Sequence, residues 1–397
     1  MSDGLDEAID SWHAHYVGGG QLPCALTLVA QEGALLAART AGLANVEDEV
    51  PCEADTIFRI FSMTKPVTAV AAMSMIDDGL LRLDEPVSEF IPAFAELSVN
   101  AATDPSRLEP RPARSQMTIR HLLTHTSGLT YGGEPGAVSG LYDQKATNFG
   151  VDDGPLTEVV DRLAAIPLLF EPGERWHYSV SLDVLGRVLE IVDGLPLDQV
   201  LARRVLEPVG MIDTSFRMSP GKQERLASLY QAAGDGFTRI PEGVGYPGGT
   251  EVTTLSGGAG LLSTAEDFTR FATMLLCGGE VDGSRVISSA SAAQMQRNHL
   301  PGDIAACGEP TFSESTTHGV GFGLGGSVVV DPSVTDWPSS RGEYAWGGYA
   351  STAFLIDPVR RCTAVFFTQL IPSSRYPGLR RGLREIVARF VPPFEHH

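Results

Sequence analysis

A serine and a lysine three residues apart, in Ser62-Met63-Thr64-Lys65, are the side chains of this sequence best suited to do chemistry together. Residues at that spacing on a helix are neighbours, with roughly 5–6 Å between their Cβ atoms. The four-carbon lysine stem then brings an amine to a hydroxyl, which makes a nucleophile and a base of the two. Ile57-Phe58-Arg59-Ile60-Phe61 precedes the pair, and a long apolar helix pattern follows it. With Ser62 opening that helix, the unpaired N–H groups and the positive dipole end favour the charge that develops when a carbonyl is attacked. Pro66 suits a first turn, because the N–H it lacks has no helical partner there.

Two fixed positions arise easily by chance, so other features must carry the reading. In Phe170-Glu171-Pro172-Gly173-Glu174-Arg175-Trp176-His177-Tyr178-Ser179, a turn delivers an aromatic hydroxyl to the start of a helix. A phenol titrates near pH 10 and serves as a base at neutral pH only with a cation such as Lys65 beside it; the other role open to Tyr178 is packing. Tyr344-Ala345-Trp346-Gly347-Gly348-Tyr349 places paired glycines at a strand edge. Such a pair allows a backbone N–H to approach a ligand, as an oxyanion hole requires, or marks a β-bulge.

Other chemistries find less support. The Gly-x-Ser-x-Gly elbow of α/β-hydrolases is absent; Gly136-Ala137-Val138-Ser139-Gly140 has its serine one place too late. His121 and His125 are four apart, but Leu122-Leu123-Thr124 supplies no glutamate between them and no third zinc ligand is evident. Structural roles are expected for both, and a solvated helix side for His13 and His15.

The 397 residues suffice for a large core, with 43% hydrophobic and 20% charged residues. A formal charge of −20 without a basic cluster argues against nucleic acid. The arginines from Arg375 to Arg389 are expected on the solvated face of a last helix. No stretch reaches the roughly 18 to 20 apolar residues of a membrane span. The acidic start is unlike a secretory signal, and five scattered cysteines fit a reduced, cytoplasmic protein. Glu395-His396-His397 is set aside as the start of a purification tag.

These residues need elements to position them. Ala25–Gln31 and Ala34–Ala41 flank Glu32-Gly33 as a hairpin, and 342–346, 351–356 and 362–369 read as three more strands. Helices are expected around 3–17 and 377–390. Both termini thus build one antiparallel sheet, an α+β arrangement with residues 1–80 and 310–397 in one domain. Residues 81–309 form a mainly helical insertion, with helices ending at Thr126-Ser127-Gly128, spanning Ser179–Val192, and opening at the Thr264 cap. The loops at 100–116, 132–155 and 231–260 have lengths usual for functional or mobile segments.

Taken together, Ser62-Met63-Thr64-Lys65, Leu122-Leu123-Thr124-His125-Thr126-Ser127-Gly128-Leu129, Tyr178-Ser179-Val180, Gly257–Asp267 and Trp346-Gly347-Gly348 resemble the family VIII bacterial carboxylesterases. These are relatives of class C β-lactamases and serine DD-peptidases. The resemblance implies a serine β-lactamase-like fold, Ser62 as the acylated nucleophile, and Lys65 with Tyr178 as the base system, either serving as acylation base. It implies an oxyanion hole from the N–H groups of Ser62 and Tyr349, and no cofactor or metal. Val180 stands where a β-lactamase has the asparagine of Tyr-x-Asn, and Trp346-Gly347-Gly348 where it has Lys-Thr-Gly. An aromatic surface thus replaces the cation that would face a β-lactam carboxylate, removing on the order of 1.5–3 kcal/mol of charge-assisted bonding.

A small, uncharged ester of short to medium chain is the expected substrate, with Tyr131, Trp346, Gly347 and Gly348 touching it. Phe61, Trp176 and Tyr349 are further aromatic residues near the motifs. The alternatives are a β-lactamase or DD-peptidase, an acyltransferase on the same fold, and a non-catalytic ligand sensor.

Overall fold

Eight strands drawn from the two ends of the chain form one antiparallel sheet. The computed structural model describes residues 2–394 apart from 151–152, 242–245, 247, 249–251 and 314; Glu395-His396-His397 lie outside the described residues. From one edge the strands run Val320–Phe322, Ser327–Val329, Tyr344–Gly347, Ala353–Asp357 and Cys362–Phe367. They continue through Cys24–Gln31 and Ala34–Asn45 to Val50–Pro51 at the other edge. Leu26 stands opposite Phe367, which is where the two chain ends meet. Glu32 and Gly33, with φ of 52° and 78°, make the tight turn of the first hairpin.

Helices cover both faces of this sheet. Ser2–His13 and Gly378–Phe390 pack against each other and on one face; Ala265–Leu276 lies across the central strands on the other. The central strands Cys24–Gln31 and Cys362–Phe367 are consequently buried almost throughout, an apolar run in place of alternation. Thr264 caps Ala265–Leu276 by accepting from the Asp267 N–H, an interaction worth about 1 kcal/mol. Gly194, at φ 68°, ends the helix Ser181–Asp193. No helix of the described residues is long and apolar enough to cross a membrane.

Several elements differ from expectation. The strands 320–322 and 327–329, at one end of the sheet, were not anticipated. The segment between the sheet's halves is not helical throughout: Ser98–Asn100 pairs with Pro110–Pro112, and Tyr230–Ala233 pairs with Gly236–Arg239 and, in parallel, with Leu370–Ile371. His13 is not solvated but 2% exposed, its Nε2 lying 2.7 Å from Thr27 Oγ1, whereas His15 is exposed. Two arginines of the last helix turn inward. Arg384 pairs with the buried Glu343 at 2.7 Å, and Arg380 donates to the Gly348 carbonyl at 2.9 Å.

Candidate active site

Ser62 is presented by a strained turn between a short strand and a helix. Phe58–Arg59 pairs with Leu262–Ser263, and the buried Gln369 amide brackets the Arg59 backbone, accepting from its N–H and donating to its carbonyl. Phe61 then adopts φ 44°, a left-handed conformation costing an ordinary side chain of order 1–3 kcal/mol. Its ring, between Tyr246 and Tyr349 at 5.9 Å from each, holds it there. A single 3₁₀ turn, Phe61–Met63, carries Ser62 into the α-helix Thr64–Asp77. Ser62 therefore sits just before the α-helix rather than within it.

Lys65 is fully buried and surrounded by oxygens. Its Nζ lies 3.3 Å from Ser62 Oγ, 3.2 Å from Tyr131 Oη and 2.9 Å from the Gly258 carbonyl. It also faces the Tyr178 ring, 4.6 Å from the centroid. These oxygens hold the amine in place beside the Ser62 hydroxyl. The Tyr131 and Tyr178 rings lie 5.5 Å apart, and burial, with that neighbour's potential charge, holds the Tyr131 pKa well above the usual phenol value. The amine thus joins Ser62 to Tyr131, with the Tyr178 ring packed against it. The Gly258 carbonyl went unnoticed in the sequence, and Tyr131, expected only against substrate, is here a direct partner of Lys65.

The two tyrosines meet because their loops are stitched together beneath them. His125, at φ 54° in the turn ending Ile119–Leu123, places Nδ1 3.0 Å from Ser179 Oγ. Ser179 and Ser127 both lie 2.7 Å from Ser181 Oγ, and the His177 N–H donates to the His125 carbonyl at 2.9 Å. Burial, then the Lys65 charge, pushes the His125 pKa well down, so it serves as a neutral structural group. His121 is committed to its own helix start, where Nδ1 accepts from the Thr118 N–H.

The Gly257–Gly260 segment lies along the helix Thr64–Asp77, tied by Thr68 to the Gly257 carbonyl at 2.7 Å and by the Leu261 N–H to Thr64 Oγ1 at 3.1 Å. Asp183, fully buried, accepts from Ser256 Oγ and the Gly258 N–H and so aims the Gly258 carbonyl at Lys65. A Cβ on Gly258 would come within 2.4 Å of the Asp183 carboxylate, so only glycine fits.

The other wall of the site is the end of Tyr344–Gly347. Its outer neighbour pairs only with Tyr344 and Ala345, which leaves Trp346 and Gly347 on an open edge. A Cβ on Gly348 would lie 2.4 Å from the Ile60 carbonyl and 2.3 Å from Thr352 Oγ1; one on Gly347 would lie 2.5 Å from the Arg380 guanidinium carbon. The glycines thus let this strand approach the turn that carries Ser62, and Tyr349 follows directly. The Tyr349 side chain is 45% exposed, with its ring against Phe61.

A cavity of about 780 Å³ opens over Ser62, with Tyr131, Tyr178, Trp346, Gly347, Gly348 and Tyr349 in its wall. Trp346 stacks on Phe312 at 5.6 Å and lies 5.4 Å from Tyr178. Phe312, on a short strand beyond the reach of any motif, is an aromatic wall residue that the sequence did not reveal. Trp176, at 1% exposure, packs beneath this wall. Val180 is wholly buried and brings no donor to the cleft. Among the described residues no group of three or more His, Cys, Asp or Glu side chains has the arrangement of a metal site.

The sequence pattern of the β-lactamase family matches residues 9–388, and the chain belongs to that family. Protein Rv1367c of Mycobacterium tuberculosis is 37% identical over 362 residues, 89% of this chain and 87% of that protein. Esterase EstB of Burkholderia gladioli is 32% identical over 384 residues, 91% of this chain and 90% of EstB. The solved structure of EstCE1, a hydrolase with promiscuous acyltransferase activity, is 28% identical. It superposes with a TM-score of 0.81 over 98% of this chain and 99% of its own. Within the family, this similarity makes the chain a serine hydrolase of the family VIII carboxylesterase type.

Proposed function

We propose that the protein hydrolyses uncharged carboxylic esters of short to medium chain through an acyl-Ser62 intermediate. The observation that carries this reading is the buried Lys65 amine 3.3 Å from Ser62 Oγ beneath an aromatic cavity. The cavity, at about 780 Å³, lies within the range of roughly 300–1,000 Å³ typical of small-molecule sites. Trp346 and Phe312 offer apolar surface to an acyl or alcohol chain.

Lys65 takes the Ser62 proton as Oγ bonds to the ester carbonyl carbon. The N–H groups of Ser62 and Tyr349 receive the oxyanion. The intermediate collapses with cleavage of the bond to the alcohol oxygen, which leaves with a proton returned by the Lys65 and Tyr178 pair. Water then gives a proton to the same pair, attacks the acyl carbon and releases the acid, and Ser62 is reprotonated. The five free cysteines support a cytoplasmic setting.

Ser62→Ala is expected to abolish turnover of p-nitrophenyl butyrate and the mass adduct left by a fluorophosphonate; wild-type turnover in that variant would sink the proposal. Nitrocefin turned over faster than the ester would return the reading to a β-lactamase. Transfer to an alcohol in place of water is a second reading, favoured by the acyltransferase activity named for EstCE1. Product analysis with added alcohols separates the two.

A further inference from the structure

The peptide between Gly348 and Tyr349 has two ends with different partners. Its N–H is the Tyr349 donor of the oxyanion hole proposed above. Its carbonyl accepts from Arg380 Nη2 at 2.9 Å and from the Ser351 N–H at 3.1 Å within a tight turn, and the same arginine nitrogen approaches the Thr352 carbonyl at 3.5 Å. The bond is trans, since the cis peptide of the described residues is Ile371-Pro372. In a trans peptide the N–H and C=O point in opposite directions, so a cation anchoring the oxygen also directs the N–H away from itself.

Charge adds to direction. A guanidinium on the carbonyl draws electron density through the conjugated amide and makes the N–H a stronger donor, the cooperative effect of linked hydrogen bonds. The guanidinium is pressed against the Gly347 backbone, where any Cβ would meet its carbon at 2.5 Å. On the other side, the Ile60 carbonyl and Thr352 Oγ1 leave no room for a side chain on Gly348. The peptide is thus clamped between the turn that carries Ser62 and the last helix.

We propose that Arg380 is a positioning residue for the hydrolysis described above, setting the direction and donor strength of the Tyr349 N–H. It touches no substrate atom. The inference rests on the acyl-Ser62 reading, and the experiment separates the two.

Arg380→Met keeps the length of the side chain and removes its donors and charge. With p-nitrophenyl butyrate its kcat should fall about tenfold, less than the roughly 10²–10³ for removing an oxyanion donor outright. KM should stay within twofold, and affinity for a trifluoromethyl ketone, which forms a tetrahedral adduct on Ser62, should weaken in proportion to kcat. Arg380→Lys should recover part of both losses.

A purely structural Arg380 predicts a lower melting temperature with unchanged kcat, and that result overturns the proposal. So does a raised KM at unchanged kcat, which would make Arg380 a substrate contact. Should Arg380→Met fail to fold, Gly347→Ala displaces the guanidinium by its added methyl; a folded Gly347→Ala protein with wild-type kcat also overturns the proposal. If wild-type protein takes no fluorophosphonate on Ser62, the hydrolase reading falls first and this inference with it. If Ser62 is labelled and Arg380→Met is unaffected, only the inference falls.

Discussion

The two walls of the cleft are made of different material. On the helix wall the work falls to side chains: Ser62 and Tyr131 each lie beside the Lys65 amine, which also faces the Tyr178 ring. On the sheet wall it falls to the main chain, because Gly347 and Gly348 contribute by what they lack and Tyr349 by the N–H proposed for the oxyanion hole. The first wall must exclude water and satisfy each buried polar group, since an unmet one costs of order 1–3 kcal/mol. The second must bring backbone within contact distance of backbone. Chemical type is therefore what cannot vary on the helix wall, and volume is what cannot vary on the sheet wall.

The largest effect tests the sheet wall. Gly348→Ala places a methyl 2.4 Å from the Ile60 carbonyl, so the strand must retreat and take the Tyr349 N–H with it. Loss of that donor should lower kcat by roughly 10²–10³ with the Lys65 cluster intact. Steady-state kinetics with p-nitrophenyl butyrate checks it, and a kcat within threefold of wild type would break the contrast between the walls.

Next come the two tyrosines, which differ within the helix wall. Tyr178→Phe removes a hydroxyl bordering the cavity and should cost about 10²-fold in kcat, at the low end for acid–base groups because Lys65 remains. Tyr131→Phe should cost about tenfold. Burial keeps the Tyr131 phenol protonated well above its usual range, so it orients the Lys65 amine and does not act as base. The pH dependence of kcat/KM should accordingly keep its alkaline limb in Tyr131→Phe. Equal losses from the two substitutions would erase the distinction.

The same division explains what could be read from the sequence. Ser62, Lys65 and Tyr178 stand out because their residue types carry chemistry at short spacing, and the first hairpin and the Thr264-capped helix because their signals are local. Arg380 does not: in Gly378–Phe390 it lies beside the apolar Leu379, Leu383, Ile386 and Val387, and nothing nearby in sequence says that its head bends toward Gly348. Long arginine stems commonly cover apolar surface, so a basic run alone does not reveal which heads turn inward. The strands 320–322 and 327–329 are three residues each and flank glycines, so their strand character comes from pairing with one another and with Tyr344–Ala345. His13 did carry a signal, since Leu5, Ile9 and His13 follow a spacing of four on the buried face of the first helix.

His13 supplies the smallest effect on activity and a control for the helix wall, being a buried polar pair remote from the cleft. Its Nε2 meets Thr27 Oγ1 at 2.7 Å, and burial pushes its pKa down to about 4 despite the opposing Asp10 carboxylate. An unfolded histidine titrates near 6.5, so between pH 6.5 and 4 the unfolded chain binds the proton that the folded one refuses. The folded state therefore has its full stability above pH 6.5 and loses it as pH falls toward 4, by about 3 kcal/mol at most from this residue. Denaturant melts from pH 7 to 4 should show a shallower loss in His13→Gln than in wild type, with kcat at neutral pH unchanged. A changed kcat would join the two faces of the sheet energetically. An unchanged pH slope would move the acid sensitivity to His125, whose pKa burial also lowers, and hence onto the helix wall itself.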